Sequence, residues 1–379
     1  MNRSLYLNCA ASSFPKPEAV LQCAQSAICL PPDEAGRSNG FGNSGDHCRQ
    51  LIAGLIGCDP EEVFFSSGST ESANLVIRGL PLRGTHVLVT ATEHNCILRP
   101  LYNHPDQPEI AVLPCDENGA VDPAALEARI RPNTKYLFLN HCSNVTGFVQ
   151  ELRTFGAICR RHGIVLIVDA SQSIGCAEIN VVRDHIGILI FTGHKNLFGL
   201  SGIGGYYVSK DIPLPIVKTG GTGTDSLWLK LPADYQNREP GTPNAVGLAS
   251  LAAGAGFVKK YGIDAIRQHL RKKRQRLVNG LSQIPGIRVL HTAPQQEAGP
   301  VVSFVTDGLS PADVGYILSE SYGITLRTGF HCCPLIHEQL KTPQGTIRAS
   351  FSVLTEDSAL DALCDAMREI QKGGAVHEA

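Results

Sequence analysis

The chain has 379 residues, 43% hydrophobic and 18% charged, which is enough for a large core and two domains. Its net charge of −2 gives no electrostatic footprint for nucleic acid or an anionic membrane surface, and no apolar run approaches the length of a membrane span. Thirteen scattered Cys without paired CxxC spacing, and no basic and apolar leader, predict reduced thiols and a cytoplasmic setting rather than a secreted disulfide framework.

In chain order, the strand-like Val63-Phe64-Phe65 leads into a helical pattern through Ala73, Leu75, Val76 and Leu80. Strands are predicted at 85–91, 110–113, 136–139, 164–168, 186–191 and 205–208, with helices at 123–130 and 152–162 among them. Recurring βα units predict a mainly parallel sheet covered on both faces, with ligands at the carboxyl ends of its strands. A second part begins near Gly256, where one long helical pattern runs through Leu281. Strands at 287–290 and 301–305, a helix capped by Ser310-Pro311, strands at 324–327 and 346–352, and a closing helix from Thr355 complete an α+β unit.

Chemistry-bearing residues emerge where the apolar runs stop. One run ends on Asp169-Ala-Ser-Gln172 and the next on Thr192-Gly-His194-Lys195. The stretch between Asp169 and Lys195 is long enough for one crossover between neighbouring parallel strands, so both side chains can reach one site. An acid, a lysine amine and hydroxyl and imidazole donors fit pyridoxal 5′-phosphate (PLP), which requires a lysine for its resting Schiff base and a carboxylate to keep its pyridine nitrogen protonated. Ser66-Ser67-Gly68-Ser69-Thr70-Glu71 follows a strand and opens a helix, offering free N–H groups, hydroxyls and a positive dipole end to a phosphate. Thr92-Glu93-His94-Asn95 ends another strand and places an imidazole where it could stack on a ring. Asn140-His141-Cys142-Ser143-Asn144 ends a third.

Together these positions resemble the class V aminotransferase family and, within it, the cysteine desulfurase and selenocysteine lyase group. The resemblance runs from Leu5-Tyr6-Leu7-Asn8-Cys9-Ala10-Ala11 to Ile347-Arg348-Ala349-Ser350. It implies an α/β, PLP-dependent aspartate aminotransferase-like fold of type I, with a large parallel-sheet domain over 15–255. A smaller α+β domain would combine 1–14 with 256–379. By resemblance, Lys195 is the Schiff-base lysine, Asp169 the partner of the pyridine nitrogen, and His94 the ring that stacks on the cofactor. Gln172 would bond the ring oxygen, and Asn144 would sit beside that oxygen and the substrate. Ser69, Thr70, Thr192 and His194 would hold the phosphate. Thr242, in Glu239-Pro240-Gly241-Thr242-Pro243, would reach the phosphate of a partner subunit, which implies a homodimer.

The segment Arg327-Thr328-Gly329-Phe330-His331-Cys332-Cys333-Pro334 narrows the reaction. In the resembling enzymes a cysteine at the Cys332 position takes sulfur from L-cysteine or a related sulfur or selenium amino acid, and an arginine at the Arg348 position binds the substrate carboxylate; Arg327 is a further substrate-binding candidate. A thiolate is the soft nucleophile such a transfer needs, and a guanidinium grips a carboxylate bidentately. The short separation of Cys332 from Arg348 resembles the SUF-type branch, whose cysteine sits on a tight loop and hands sulfur to an acceptor protein or reductant. The implied products are L-alanine and an enzyme persulfide, with Lys195 and His94 carrying protons. The alternatives are a PLP-dependent selenocysteine lyase or C–S β-lyase, or a non-catalytic thiol or metal-binding protein.

Three residues depart from the family pattern. Asn8 replaces a usual Asp, with an effect expected on packing near the chain start. Phe330 replaces a second His, and Cys333 adds a thiol. In an extended loop, adjacent side chains point apart, so only one of Cys332 and Cys333 can face the substrate sulfur. Three further features read as bland. The basic run Arg267 to Arg276 keeps Ile266, Leu270, Leu277 and Leu281 on one apolar face and is expected to be a solvated helix face. His331, Cys332, Cys333 and His337 lack tetrahedral zinc spacing, so no metal is expected. Gly220-Gly221-Thr222-Gly223-Thr224 has no following lysine in phosphate-loop spacing and is expected near the dimer interface and active-site mouth.

Overall fold

Strands buried on both faces build the centre of the molecule, and their apolar side chains alternate between two cores. The computed structural model describes residues 5–29, 44–221, 227–232, 237–291 and 297–374; Thr222, Gly223 and Thr224 lie outside them. The chain opens with β1 (Leu5–Tyr6), α1 (Glu18–Cys29) and α2 (Ser44–Ile56), then enters β2 (Val63–Ser66), α3 (Ser69–Gly79), β3 (His86–Thr90), α4 (Asn95–Tyr102) and β4 (Glu109–Leu113). It continues through α5 (Pro123–Glu127), β5 (Thr134–Asn140), α6 (Leu152–Arg161), β6 (Val165–Asp169), β7 (Ile188–Thr192) and β8 (Gly204–Val208).

Strands β2 to β8 form one sheet in the order β2-β8-β7-β6-β5-β3-β4. β4, β3, β5, β6 and β7 run parallel, as the βα pattern predicts. β8 is antiparallel to both β7 and β2. β2 therefore runs in the direction of β7, and the carboxyl ends of β2, β3, β5, β6 and β7 share one rim. Leu137, Leu139, Leu166 and Val168 belong to the core shared with α2 and α6, whereas Tyr136, Phe138, Val87 and Ile167 belong to the core shared with α3 and α4.

A further apolar core lies beyond. Helices α7 (Ala245–Tyr261) and α8 (Ile263–Ser282) lead to β9 (Ile287–Val289), β10 (Val301–Thr306), α9 (Pro311–Tyr322), β11 (Ile324–Thr325), β12 (Arg327–Gly329), α10 (Ile336–Gln339), β13 (Thr346–Ser350) and α11 (Asp357–Gly374). The order β12-β13-β10-β9 makes an antiparallel sheet. Ser310 caps α9 by accepting from Asp313 N. The chain start joins this part: β1 pairs in parallel with β11, and Leu7 enters the same core as Phe304 and Phe351.

The single long helix expected through Leu281 is two helices, broken at Gly262 with φ 87°. Helices α1 and α2, which pack on α7, are absent from the sequence expectations. The basic run on α8 is not wholly solvated either. Lys273 and Arg274 are buried; Lys273 Nζ donates to Thr355 O at 2.6 Å and pairs with Asp357, and Arg274 donates to His291 O. Long basic side chains reach past the helix surface to backbone carbonyls of neighbouring loops.

Candidate active site

Two adjacent strand ends set the site. β6 ends on Asp169 and β7 on Thr192, paired in parallel with Asp169 opposite Ile190, so Lys195, just past β7, shares a rim with Asp169. The connection between them is built of turns rather than a regular helix. Asp169 is buried; its Oδ1 accepts from Ser171 N at 2.9 Å, and Cys96 Sγ lies 3.9 Å from Oδ2. Burial lowers the pKa of the Lys195 amine, an effect the Asp169 charge opposes. Among the described residues no hydrogen bond engages Lys195 Nζ.

His94 forms the N-cap of α4, its Nδ1 accepting from Cys96 N at 3.0 Å. That bond leaves the neutral ring's proton on Nε2. Burial, reinforced by the Lys195 charge, holds the imidazole pKa down to about 4. Behind it Glu93 is fully buried and pushed up to about 8 by burial, with Asp169 adding repulsion; its Oε1 accepts from Thr90 Oγ1 at 2.7 Å.

On the other side, Ser69 and Thr70 occupy the first turn of α3. The preceding Gly68 has φ 148°, a conformation side-chain-bearing residues rarely adopt, and it turns the chain sharply from strand into helix. A Cβ built on Gly68 would sit 3.6 Å from Thr192 Oγ1, so the helix start faces the end of β7. Thr192 Oγ1 and His194 Nδ1 share a 3.0 Å hydrogen bond, and burial keeps the His194 imidazole neutral, its pKa lowered to about 4.

The segment that carries Cys332 and Cys333 follows β12. His331 (φ 51°) and Cys332 (φ 58°) are consecutive left-handed residues, closed by Cys333 N donating to Phe330 O at 2.9 Å. The backbone here is a tight left-handed turn rather than the extended loop on which the two thiols were expected to point apart, and each such residue costs roughly 1–3 kcal/mol. The turn separates the two thiols. Cys332 is half-buried and receives a hydrogen bond from Arg327 Nη2 at 3.0 Å, whereas Cys333 is buried and donates to Thr92 O at 3.2 Å. Burial raises the Cys333 thiol well above its ordinary pKa. Three more contacts anchor the turn: Asn95 N donates to Cys332 O at 2.8 Å, Asn144 Nδ2 to His331 O at 2.7 Å, and His331 Nε2 bonds Thr346 Oγ1 at 2.8 Å. A Cβ on Gly345 would lie 2.4 Å from Gly329 C, so only glycine allows β12 and β13 to close at this end.

Arg348 is almost fully buried on β13. Its Nη1 donates to Asn144 O at 3.0 Å and its Nη2 to Asn8 Oδ1 at 3.1 Å, while Nε has no partner. No carboxylate pairs with it among the described residues. Burial, together with the nearby Arg327 charge, weakens its hold on its proton. Asn8 was expected to affect only packing at the chain start; instead it touches this guanidinium.

The geometry thus gathers most of the expected residues. Lys195, Asp169, His94, Arg327 and Arg348 lie within mutual electrostatic reach, and Thr70, His94 and Cys332 line one cleft of about 460 Å3. Gln172 is buried and donates to Ala10 O at 2.9 Å. Thr242 is exposed in the loop before α7, and no contact joins it to the other expected residues among the described residues. Glu93, Asn95 and Cys96 carried no expected role; a charged residue and two polar ones directly flanking His94 at a strand end were the available signal.

The family model described as Aminotransferase class-V matches residues 6–363. The chain belongs to the class-V aminotransferase family. A probable cysteine desulfurase of Methanothermobacter thermautotrophicus is 32% identical over 334 residues, covering 85% of this chain and 82% of that one. The cysteine desulfurase of Pectobacterium atrosepticum is 29% identical, covering 86% and 81%. Among solved structures, the apo cysteine desulfurase of Thermococcus onnurineus NA1 superposes with a TM-score of 0.87 at 29% identity, covering 98% of this chain and 96% of that one. The fold of this class-V chain is accordingly the α/β fold of the PLP-dependent cysteine desulfurases.

The residues present fit PLP on their own chemistry. Among the described residues, Asn144 Oδ1 and Ser171 Oγ are buried polar atoms without partners, Lys195 Nζ is unengaged, and the first turn of α3 faces the Thr192–His194 pair. Orphaned buried polar groups are costly unless something satisfies them.

Proposed function

We propose that this class-V chain is a PLP-dependent cysteine desulfurase that converts L-cysteine to L-alanine and carries the sulfur as a persulfide on Cys332. The observation that carries this most directly is a buried arginine without a counter-ion, Arg348, set beside a half-buried thiol that receives a hydrogen bond from Arg327. Lys195, Asp169, Gln172 and Asn144 would hold the cofactor ring, with Ser69, Thr70, Thr192 and His194 at its phosphate. PLP supplies the electron sink that makes the substrate's Cα and Cβ reactive. Arg348 binds and orients the substrate carboxylate, completing its unused hydrogen-bonding capacity. His94, neutral with its proton on Nε2, and Lys195, whose amine gives up its proton more readily than in water, move protons near Cα and the substrate sulfur. Cys332 Sγ, as thiolate, forms an S–S bond to the substrate sulfur as the Cβ–S bond breaks. The thiol proton returns to carbon, so cysteine plus thiolate gives alanine plus persulfide with no external oxidant.

Thr242, exposed in the loop before α7, suits a role across a homodimer interface. The thirteen unpaired Cys suit a reducing cytoplasm, and a protein thiol is a suitable sulfur acceptor. The deciding assay incubates PLP-loaded protein with L-cysteine and measures alanine, pyruvate and the mass of Cys332. Alanine with an added sulfur atom on Cys332 is the expected result. Pyruvate with ammonia and no persulfide would make the chain a β-lyase.

A further inference from the structure

The cleft onto which Cys332 opens has an unexpected charge. It lies between α3 and α4 and holds about 460 Å3, within the size range of small-molecule sites. Arg78 from the last turn of α3 and Arg99 from the last turn of α4 line its outer part with Asn74 and Asn95, and Thr70, His94 and Cys332 of the active site line its inner end. No Asp or Glu does. Both arginines are exposed, and neither guanidinium has an ion pair or hydrogen bond among the described residues. A cation in a helix's last turn ordinarily complements the helix dipole. The dipole does not explain why two of them face one carboxylate-free cleft beside a thiol. Substrate binding does not use them, because Arg348 already serves the substrate carboxylate from β13.

Resting on the desulfurase assignment, we propose that the outer part of this cleft, where it opens from the active site past Cys332, binds an anionic low-molecular-weight thiol that removes sulfur from Cys332. The incoming thiolate attacks the outer sulfur of the persulfide. A new S–S bond forms to the acceptor, the bond to Cys332 Sγ breaks, and Cys332 leaves as a thiolate. One sulfur atom moves and no net oxidation occurs. Arg78 and Arg99 hold the acceptor's carboxylates, so charge selects the acceptor while the thiol performs the exchange.

The test uses PLP-loaded wild type and an Arg78→Ala/Arg99→Ala double variant, with the dianionic thiol mercaptosuccinate and the neutral 2-mercaptoethanol as acceptors. Both proteins should release one equivalent of alanine without acceptor, since neither arginine serves the first half-reaction. With mercaptosuccinate, kcat/KM should fall roughly tenfold in the double variant, about what two partly exposed ion pairs provide, while 2-mercaptoethanol is unaffected. Arg99→Lys should retain most of the preference and Arg99→Glu should abolish it, which separates charge from folding. Added salt should erode the preference in wild type. Equal losses for both thiols, or none for mercaptosuccinate, would overturn the proposal. So would a loss confined to a glutamate-flanked cysteine peptide, which would assign the cleft to a protein acceptor. Absence of the first alanine equivalent in wild type would remove the desulfurase assignment and the proposal with it.

Discussion

Arg348 donates to Asn8 Oδ1 at 3.1 Å, and the neutral amide orients the guanidinium without cancelling its charge. Arg348→Ala should therefore raise KM for L-cysteine by about 30-fold or more, the cost of truncating a buried partner of a charged group. Asn8→Asp should raise KM by about tenfold with little change in kcat, because an internal carboxylate would compete with the substrate's. Steady-state kinetics measures both, and an unchanged KM in Arg348→Ala would remove this residue from the substrate site.

The two adjacent thiols should behave differently. Cys332→Ala should bind PLP and L-cysteine yet lose persulfide and alanine formation. Cys333→Ala should stay active and lose about 1–2 kcal/mol of stability, since its sulfur is buried against Thr92 O. Mass spectrometry locating the sulfur on Cys333 would shift the nucleophile by one position.

Glu93 ties stability to pH. An ordinary glutamate titrates near 4.5, whereas burial holds this one near 8. Its contribution is complete below about 4.5, where both folded and unfolded chains hold the proton. Between these values only the folded chain keeps it, so stability falls as pH rises and levels off above 8. Glu93→Gln keeps a neutral group and should flatten that decline, by on the order of 3 kcal/mol between pH 5 and 9. Thermal unfolding across that range decides the point, and parallel curves for the two proteins would count against a protonated Glu93.

Asn95 offers a narrow test of how the nucleophile turn is held. It occupies the first position of α4, where proline is tolerated, and His94 before it already has an extended conformation. Asn95→Pro should thus spare the helix while deleting the N–H that bonds Cys332 O. Sulfur transfer should slow several-fold while PLP absorbance stays normal. Full activity would show that the turn needs no such anchor.

Much of the sheet was legible because β3 to β8 are apolar runs cut by polar strand ends, and function collects where such runs stop. Asp169 and Lys195 could be paired from chain order alone, as a crossover joins neighbouring strands. At Cys332 a tight loop was legible from the short separation to Arg348, but its backbone conformation was not. Its left-handed backbone is imposed on ordinary residues by distant partners, Asn95, Asn144 and Thr346, which no local pattern signals. The contact between Asn8 and Arg348 joins opposite ends of the chain and was likewise hidden. Lys273 and Arg274 were misjudged because a basic helix stripe resembles a solvated face until distant loops supply carbonyl acceptors, here Thr355 O and His291 O.

Strand pairing places Arg327 directly opposite Arg348 on β12 and β13. Like charges so placed repel. The protein accepts a local weakness there, at two paired positions beside the Cys332 turn. Any carboxylate that settles between them repairs the sheet as well as filling the site, so substrate and product act as structural ligands of this corner. Melting temperature should then report occupancy, rising with L-alanine more than with an amine that lacks the carboxylate.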